Sequence, residues 1–230
     1  MSGVPEVHVD WYLGRSPLPD VDDEGIALAA RNPGGQVGYY DLHQPREKRD
    51  DTRTLKGLRE VGPDGAFTGE EWRNPGFVPH PDTAGTRFHT DFELELWRTI
   101  NGFVRLGPFA RAFAEAELMA MCDEGEELVL RPNEHGDRTL DVCTSFVRVP
   151  STWPHWTSVR GIDLIRHLGH GRHHVGLQLN RSSKPKLRIP AQTLAELHRA
   201  ESERVNDLMR VGPLPATPTP MGTAMPGGQQ

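Results

Sequence analysis

Between Leu128 and Pro190 the chain carries four short β-rich runs, Leu128–Arg131, Asp137–Val149, His174–Asn180 and Lys186–Pro190, separated by turn residues. One amphipathic stretch, Val159–Leu168, interrupts them and reads as a short helix. Strands and helices in this order predict an α+β fold: a mixed β-sheet with helices packed on it. Everything upstream and downstream has to be fitted around that unit.

Upstream, Ile26, Leu28, Ala29 and Ala30 mark a short helix that starts at Asp20 or Asp22 and is stopped by Asn32-Pro33-Gly34-Gly35. Gln36–Asp41 reads as a strand. Residues 42–53 are charged and, after Leu42, lack apolar side chains, so they predict an exposed loop. Thr54–Val61 and Ala66–Trp72 flank Gly62-Pro63-Asp64-Gly65, the signature of a β-hairpin. Asn74–Pro81 is too proline-rich for a regular element. Thr90 and Asp91 then open a helix whose stripe of Phe92, Leu96, Ile100, Phe103 and Val104 predicts one face buried against a sheet. Gly107-Pro108 is expected to break it before a second short helix at Phe109–Glu115, and Glu117–Cys122 reads as the first strand of the C-terminal unit. Leu194, Leu197, Val205 and Leu208 predict a final helix over 191–210.

The resulting organisation is an N-terminal arm at 1–20, a helix, strand and hairpin subregion at 21–81, an α+β domain at 90–211, and a Pro/Gly-rich tail at 212–230 that composition marks as disordered. No internal repeat is present. The net charge of −6 disfavours a general field for nucleic acid. No window approaches the length of apolar chain needed to span a membrane, and the first residues lack a secretory leader pattern, so a cytoplasmic protein is expected. Cys122 and Cys143 are expected to be buried reduced thiols.

Candidate chemistry is sparse. His167, His170, His173 and His174 are the densest set of potential ligands, and a metal-dependent hydrolase would draw on His167, His170 and His174 with Asp163 as a fourth group. Neighbouring His173 and His174 point to opposite faces of a strand, which favours a solvated loop. His80, His89, Asp82 and Asp91 form a second set with no fixed geometry. Cys143, Ser145 and His155 lack a nucleophile elbow, and the glycine-rich stretches lack phosphate-binding patterns. Arg181, Lys184, Lys186 and Arg188 read as a solvated strand edge. Trp153, His155 and Trp156, set among Pro150 and Pro154, suggest an aromatic plug over one end of the core. These residues point to no catalytic group, metal or cofactor.

The order of elements resembles the SseB N-terminal domain family. The residues that carry the likeness are Cys143-Thr-Ser145, the Trp-bearing connection, Val159–Ile165, Val175–Asn180 and Leu187–Ala191 before a last helix. Ala29–Val37, Glu71–Pro75 and Phe77–Pro81 are similar to an actinobacterial branch described as type VII secretion system-associated. Cys143 stands where that family commonly has Phe, and Arg181 where it has Pro. The resemblance implies a non-enzymatic cytosolic accessory protein that works by protein contact, with a secretion-system component or secreted effector as partner. An immunity or effector-binding role is the alternative. Trp153, His155, Trp156, Val159 and Asp163 are the expected contact surface.

Overall fold

The computed structural model describes residues 18–48, 51–132, 138–168 and 175–199. Residues 1–17 of the arm, most of the histidine loop, residues 200–211 with the Val205 and Leu208 of the expected last helix, and the tail lie outside the described residues. The described chain forms two sheets joined by helices, the α+β architecture expected from the pattern of runs.

The first sheet is antiparallel. Helix α1 (Asp23–Ala30) begins at Asp22, whose carboxylate accepts a hydrogen bond from Gly25 N at 2.8 Å. Strands β1 (Gln36–Tyr40), β2 (Leu55–Val61) and β3 (Phe67–Arg73) follow, in that spatial order. The β2–β3 hairpin closes where the sequence places it, with Gly65 at φ 79°, a conformation that glycine alone adopts without cost. Ala29, Val37 and Val61 are buried between α1 and this sheet.

After β3 the chain turns through Phe77 and a one-turn helix, α2 (Pro81–Ala84), to α3 (Asp91–Ile100) and α4 (Leu106–Glu115). Phe77, Ala84, Trp97, Phe103 and Val104, with Phe88 packed on them, form an aromatic cluster between the Phe77 segment, α2 and α3. Arg98 fastens it, donating from Nε to Phe77 O at 2.7 Å and from Nη2 to Gly76 O at 3.0 Å.

The second sheet holds β4 (Glu117–Cys122), β5 (Leu130–Pro132), β6 (Arg138–Cys143), β7 (His155–Arg160), β8 (Gly176–Leu179) and β9 (Leu187–Ile189) in the order β7-β4-β6-β8-β9, with β5 also on β6. Only β6 and β8 are parallel. Helix α5 (Gly161–Leu168) lies on the crossover between them. It buries Leu164, Ile165 and Leu168, the spacing that puts three side chains on one face. With α3, α4 and a last helix over 191–199, it covers one face of the sheet. The core there is built from Leu96, Phe109, Phe113, Leu118, Leu140, Leu177, Leu179, Leu187 and Ile189.

Two expectations are revised. Gly107 and Pro108 do not break a helix but lie in the first turn of α4, where a missing proline N–H leaves no bond unmade. The stripe read through Val104 therefore stops at Ile100, and Phe103 and Val104 pack on Phe77 instead. The Trp-bearing connection hides a strand, β7, which the prolines and aromatics of 150–156 mask in the sequence.

Cys122 and Cys143 are both buried and unbridged. Ala120 pairs with Val142, so Cys122 shares the helix-covered face and Cys143 points to the other. A bridge between them is geometrically closed.

The tightest approach of backbone to backbone is at Gly161, where a Cβ would stand 1.7 Å from the carbonyl oxygen of Phe113. Gly161→Ala is expected to force α4 off α5 and to cost about 4 kcal/mol or more, checked as a fall in the thermal or urea midpoint against wild type.

Candidate functional site

A convergent polar centre that the sequence does not announce is present among the described residues. It is built around Glu93 in the first turn of α3. Thr90 caps that helix, its hydroxyl accepting from Glu93 N at 3.2 Å, so Thr90-x-x-Glu93 has the form of a capping box. In such a box the glutamate reaches back to the cap and stays at the surface. Here the carboxylate is fully buried.

Its oxygens are saturated. Oε1 accepts from Thr144 Oγ1 at 2.9 Å, from Ser145 Oγ at 2.7 Å and from Arg148 Nε at 2.5 Å. Oε2 accepts from His89 N at 2.8 Å and Arg148 Nη2 at 2.7 Å. Arg148, itself only 7% exposed, also donates to Arg87 O at 2.7 Å. Asn180 completes the shell: its Oδ1 accepts from Thr144 N at 2.9 Å and its Nδ2 donates to Pro185 O at 2.7 Å. Asn180 holds φ 49°, a left-handed conformation that Asn tolerates better than most residues.

Burial is the largest influence on the Glu93 carboxyl and pushes its pKa up. The hydrogen bonds from Arg148, His89 N, Ser145 and Thr144 together outweigh it and hold the group below the ordinary glutamate range. Glu93 is therefore an ionised acceptor with every lone pair engaged. It cannot take a proton from a substrate without first losing its own partners. Ser145 donates into it and is not activated by it. Cys143, beside this centre, is pushed up to about 12, first by burial and then by Asp141, so no thiolate is available for nucleophilic chemistry. The centre is a clasp.

Asp41 forms a smaller centre of the same kind. It is buried, accepts from His80 N at 2.8 Å, His43 N at 3.2 Å and the Thr83 hydroxyl, and ties the end of β1 to α2. Burial pushes its pKa up, but these bonds and the charge of Lys56 leave it lowered.

The residues singled out in the sequence scatter. His80 caps α2, Nδ1 accepting from Asp82 N at 3.3 Å, while His89 serves Glu93 through its backbone. Asp91 sits in the first turn of α3. His167 is exposed on α5, and His170, His173 and His174 lie outside the described residues. Among the described residues no three His, Cys, Asp or Glu side chains stand close enough to hold a metal ion.

Of the aromatic group, Trp153 is buried on Met121 and Cys143, with Met119, Val129 and Val149 around it. It is the plug, and it leaves the contact surface. Trp156 on β7 is 40% exposed and packs on Phe146 at 5.4 Å between ring centroids. Phe146 and Val147 are 65% and 66% exposed. His155 is exposed, Val159 packs against the core, and Asp163 pairs with Arg160 at 3.1 Å. The sequence signal for Phe146 and Val147 was misread because they continue an apolar strand pattern, yet they lie on a 3₁₀ turn beyond the end of β6.

Comparison with family models, with curated proteins and with solved structures finds no match.

Glu93→Gln leaves the Arg148 guanidinium buried without its counter-charge, and the expected loss is about 3–5 kcal/mol, read from urea unfolding near neutral pH. A carboxyl with a lowered folded pKa contributes stability that is complete above its unfolded value, about 4.3, and disappears as pH falls through the folded value. The gap between wild type and Glu93→Gln should therefore narrow below about pH 4. A gap that stayed constant down to acid denaturation would contradict the assignment.

Proposed function

We propose that this chain is a non-enzymatic accessory protein of the SseB-like, type VII secretion-associated kind, cytoplasmic, and acting through contact with another protein. The observation that carries the reading is the apolar corner of Phe146, Val147 and Trp156 beside β7. These side chains are large and exposed, and among the described residues the other aromatics are buried or half-buried except Tyr40 and Trp72. An apolar cluster rimmed by polar residues is the usual mark of a protein contact.

Strand β7 is also an edge of the second sheet. Its outer side presents backbone N–H and C=O groups to a partner strand. The alternating exposure of Trp156, Ser158 and Arg160 along it gives such a partner side-chain specificity as well. The polar centre at Glu93 supports the same reading from the other direction, because its groups are spent on holding the fold. A secretion-system component or secreted effector is the partner that the family resemblance implies. No helix among the described residues is long and apolar enough to cross a membrane.

The test is cross-linking and mass spectrometry from a native lysate, with untagged wild type and a Phe146→Ser/Trp156→Ser pair. The pair is expected to keep its melting temperature to within a few degrees, since exposed substitutions cost about 0.5 kcal/mol each, and to lose the secretion-system protein captured by wild type. Identical captured sets would remove the corner from the function. Elemental analysis of the same sample, with stoichiometric metal and no partner, would return the argument to the histidine loop.

A further inference from the structure

The face of the second sheet opposite the helices carries, across β5, β6, β8 and β9, a basic cluster arranged about one buried acid. Asp141 on β6 pairs in register with Gln178 on β8, and Gln178 with Arg188 on β9, so all three point to this face. Lys186, two residues before Arg188, has the same orientation. Arg131 on β5 faces Thr139, two residues from Asp141 on the same strand. Arg181, just past β8, reaches back over the acid.

The Asp141 side chain is only 2% exposed, yet its two oxygens are treated differently. Oδ1 accepts from Arg181 Nε at 3.0 Å and Nη2 at 2.8 Å. Oδ2 is buried with no hydrogen-bond partner, and Arg131 Nη1 stands off from it at 4.0 Å. A buried acceptor without a donor is costly and uncommon in folded proteins. Arg131 and Arg181, by contrast, keep 44% and 42% of their side chains exposed. Asp141 thus holds one guanidinium through Nε and Nη2 and stands near a second, while both arginine side chains stay partly exposed.

We infer that this face binds an acidic polypeptide segment. Its carboxylates would be gripped between Arg131 and Arg181, with Lys186 extending the positive strip, and a main-chain N–H would reach the Asp141 Oδ2 as Arg131 swings onto the ligand. Arginine forks suit carboxylates in two-pronged geometry. The charge is complementary although the whole chain carries −6, so the attraction is local to this face and steers the ligand to it. A nucleic-acid strand would also satisfy the arginines, but its sugar-phosphate backbone has no counterpart of the main-chain N–H that a polypeptide offers to the buried Asp141 Oδ2. This site is separate from the Phe146–Trp156 corner. It rests on the protein-contact reading only for the class of ligand.

Fluorescence anisotropy of the full chain with three labelled probes tests the inference: a short Glu/Gly peptide, a Lys/Gly peptide of equal length, and oligothymidylate. The Glu/Gly peptide is expected to bind, to weaken on raising salt, and to bind about tenfold more weakly to Arg131→Glu. Phe146→Ser/Trp156→Ser should bind it as wild type does, which separates failure of this site from failure of the corner. Arg131→Gln carries the comparison if thermal melting shows that Arg131→Glu has unfolded. Absence of Glu/Gly binding, equal binding by the Arg131 variants, or oligothymidylate binding as tightly as the acidic peptide would overturn the inference.

Discussion

The ion pair between Glu93 and Arg148 joins parts of the chain 55 residues apart and sets how the helices meet the second sheet. Taking two charges out of water costs several kcal/mol for each, and their attraction repays this only when the remaining donors and acceptors are also matched. Here they are: Thr144, Ser145 and His89 fill the carboxylate, and Arg87 O takes the guanidinium. The net worth of the pair is small, but its geometric demand is strict. The start of α3, the turn after β6 and the Asn180 turn after β8 must be in register together, or a buried charge is left alone. Apolar packing of Leu96 and Phe92 on the sheet would tolerate a helix that slides, and the clasp does not.

That division explains which parts of the structure were legible in the sequence. Periodic elements were: α1, α3 and α5 follow from apolar spacing, and the β2–β3 hairpin from Gly62-Pro63-Asp64-Gly65. The clasp was not, because each member has an ordinary local role. Glu93 fits an acidic first helix turn, Thr144 and Ser145 fit a turn, and Arg148 falls within the β-rich run read over Asp137–Val149. Their convergence is a property of topology, since it needs β6 and β8 side by side and α3 laid across them. Strand β7 was missed for the opposite reason. Pro150 and Pro154 lie just outside it, and proline at a strand entrance is easily taken for evidence against a strand altogether.

The two faces of the second sheet have different chemistry, and the difference runs along single strands. On β6, Leu140 and Val142 enter the helix-covered core, while Thr139, Asp141 and Cys143 face away. A sheet face without helices normally meets water with polar side chains. This one is polar around Thr139, Asp141 and Gln178 and again at Glu117, Ser158 and Arg160 near one end of β4 and β7. Toward β7 it carries Met119, Met121 and Cys143, which the 150–153 turn covers with Trp153.

Trp153 thereby divides the open face into two exposed regions of unlike character. On one side Phe146, Val147 and Trp156 offer apolar area; on the other Arg131 and Arg181 offer donors around Asp141. A stable protein complex usually covers roughly 800 Å² on each partner. A partner that used both would have to cross the Trp153 plug, and the turn that carries Trp153 begins at Pro150, two residues after the Arg148 of the clasp. The buried pair that fixes α3 on one side of the sheet thus also fixes the height of the ridge between the two exposed regions on the other. Rigidity at the clasp is the condition under which both could be presented to one partner in a constant geometry.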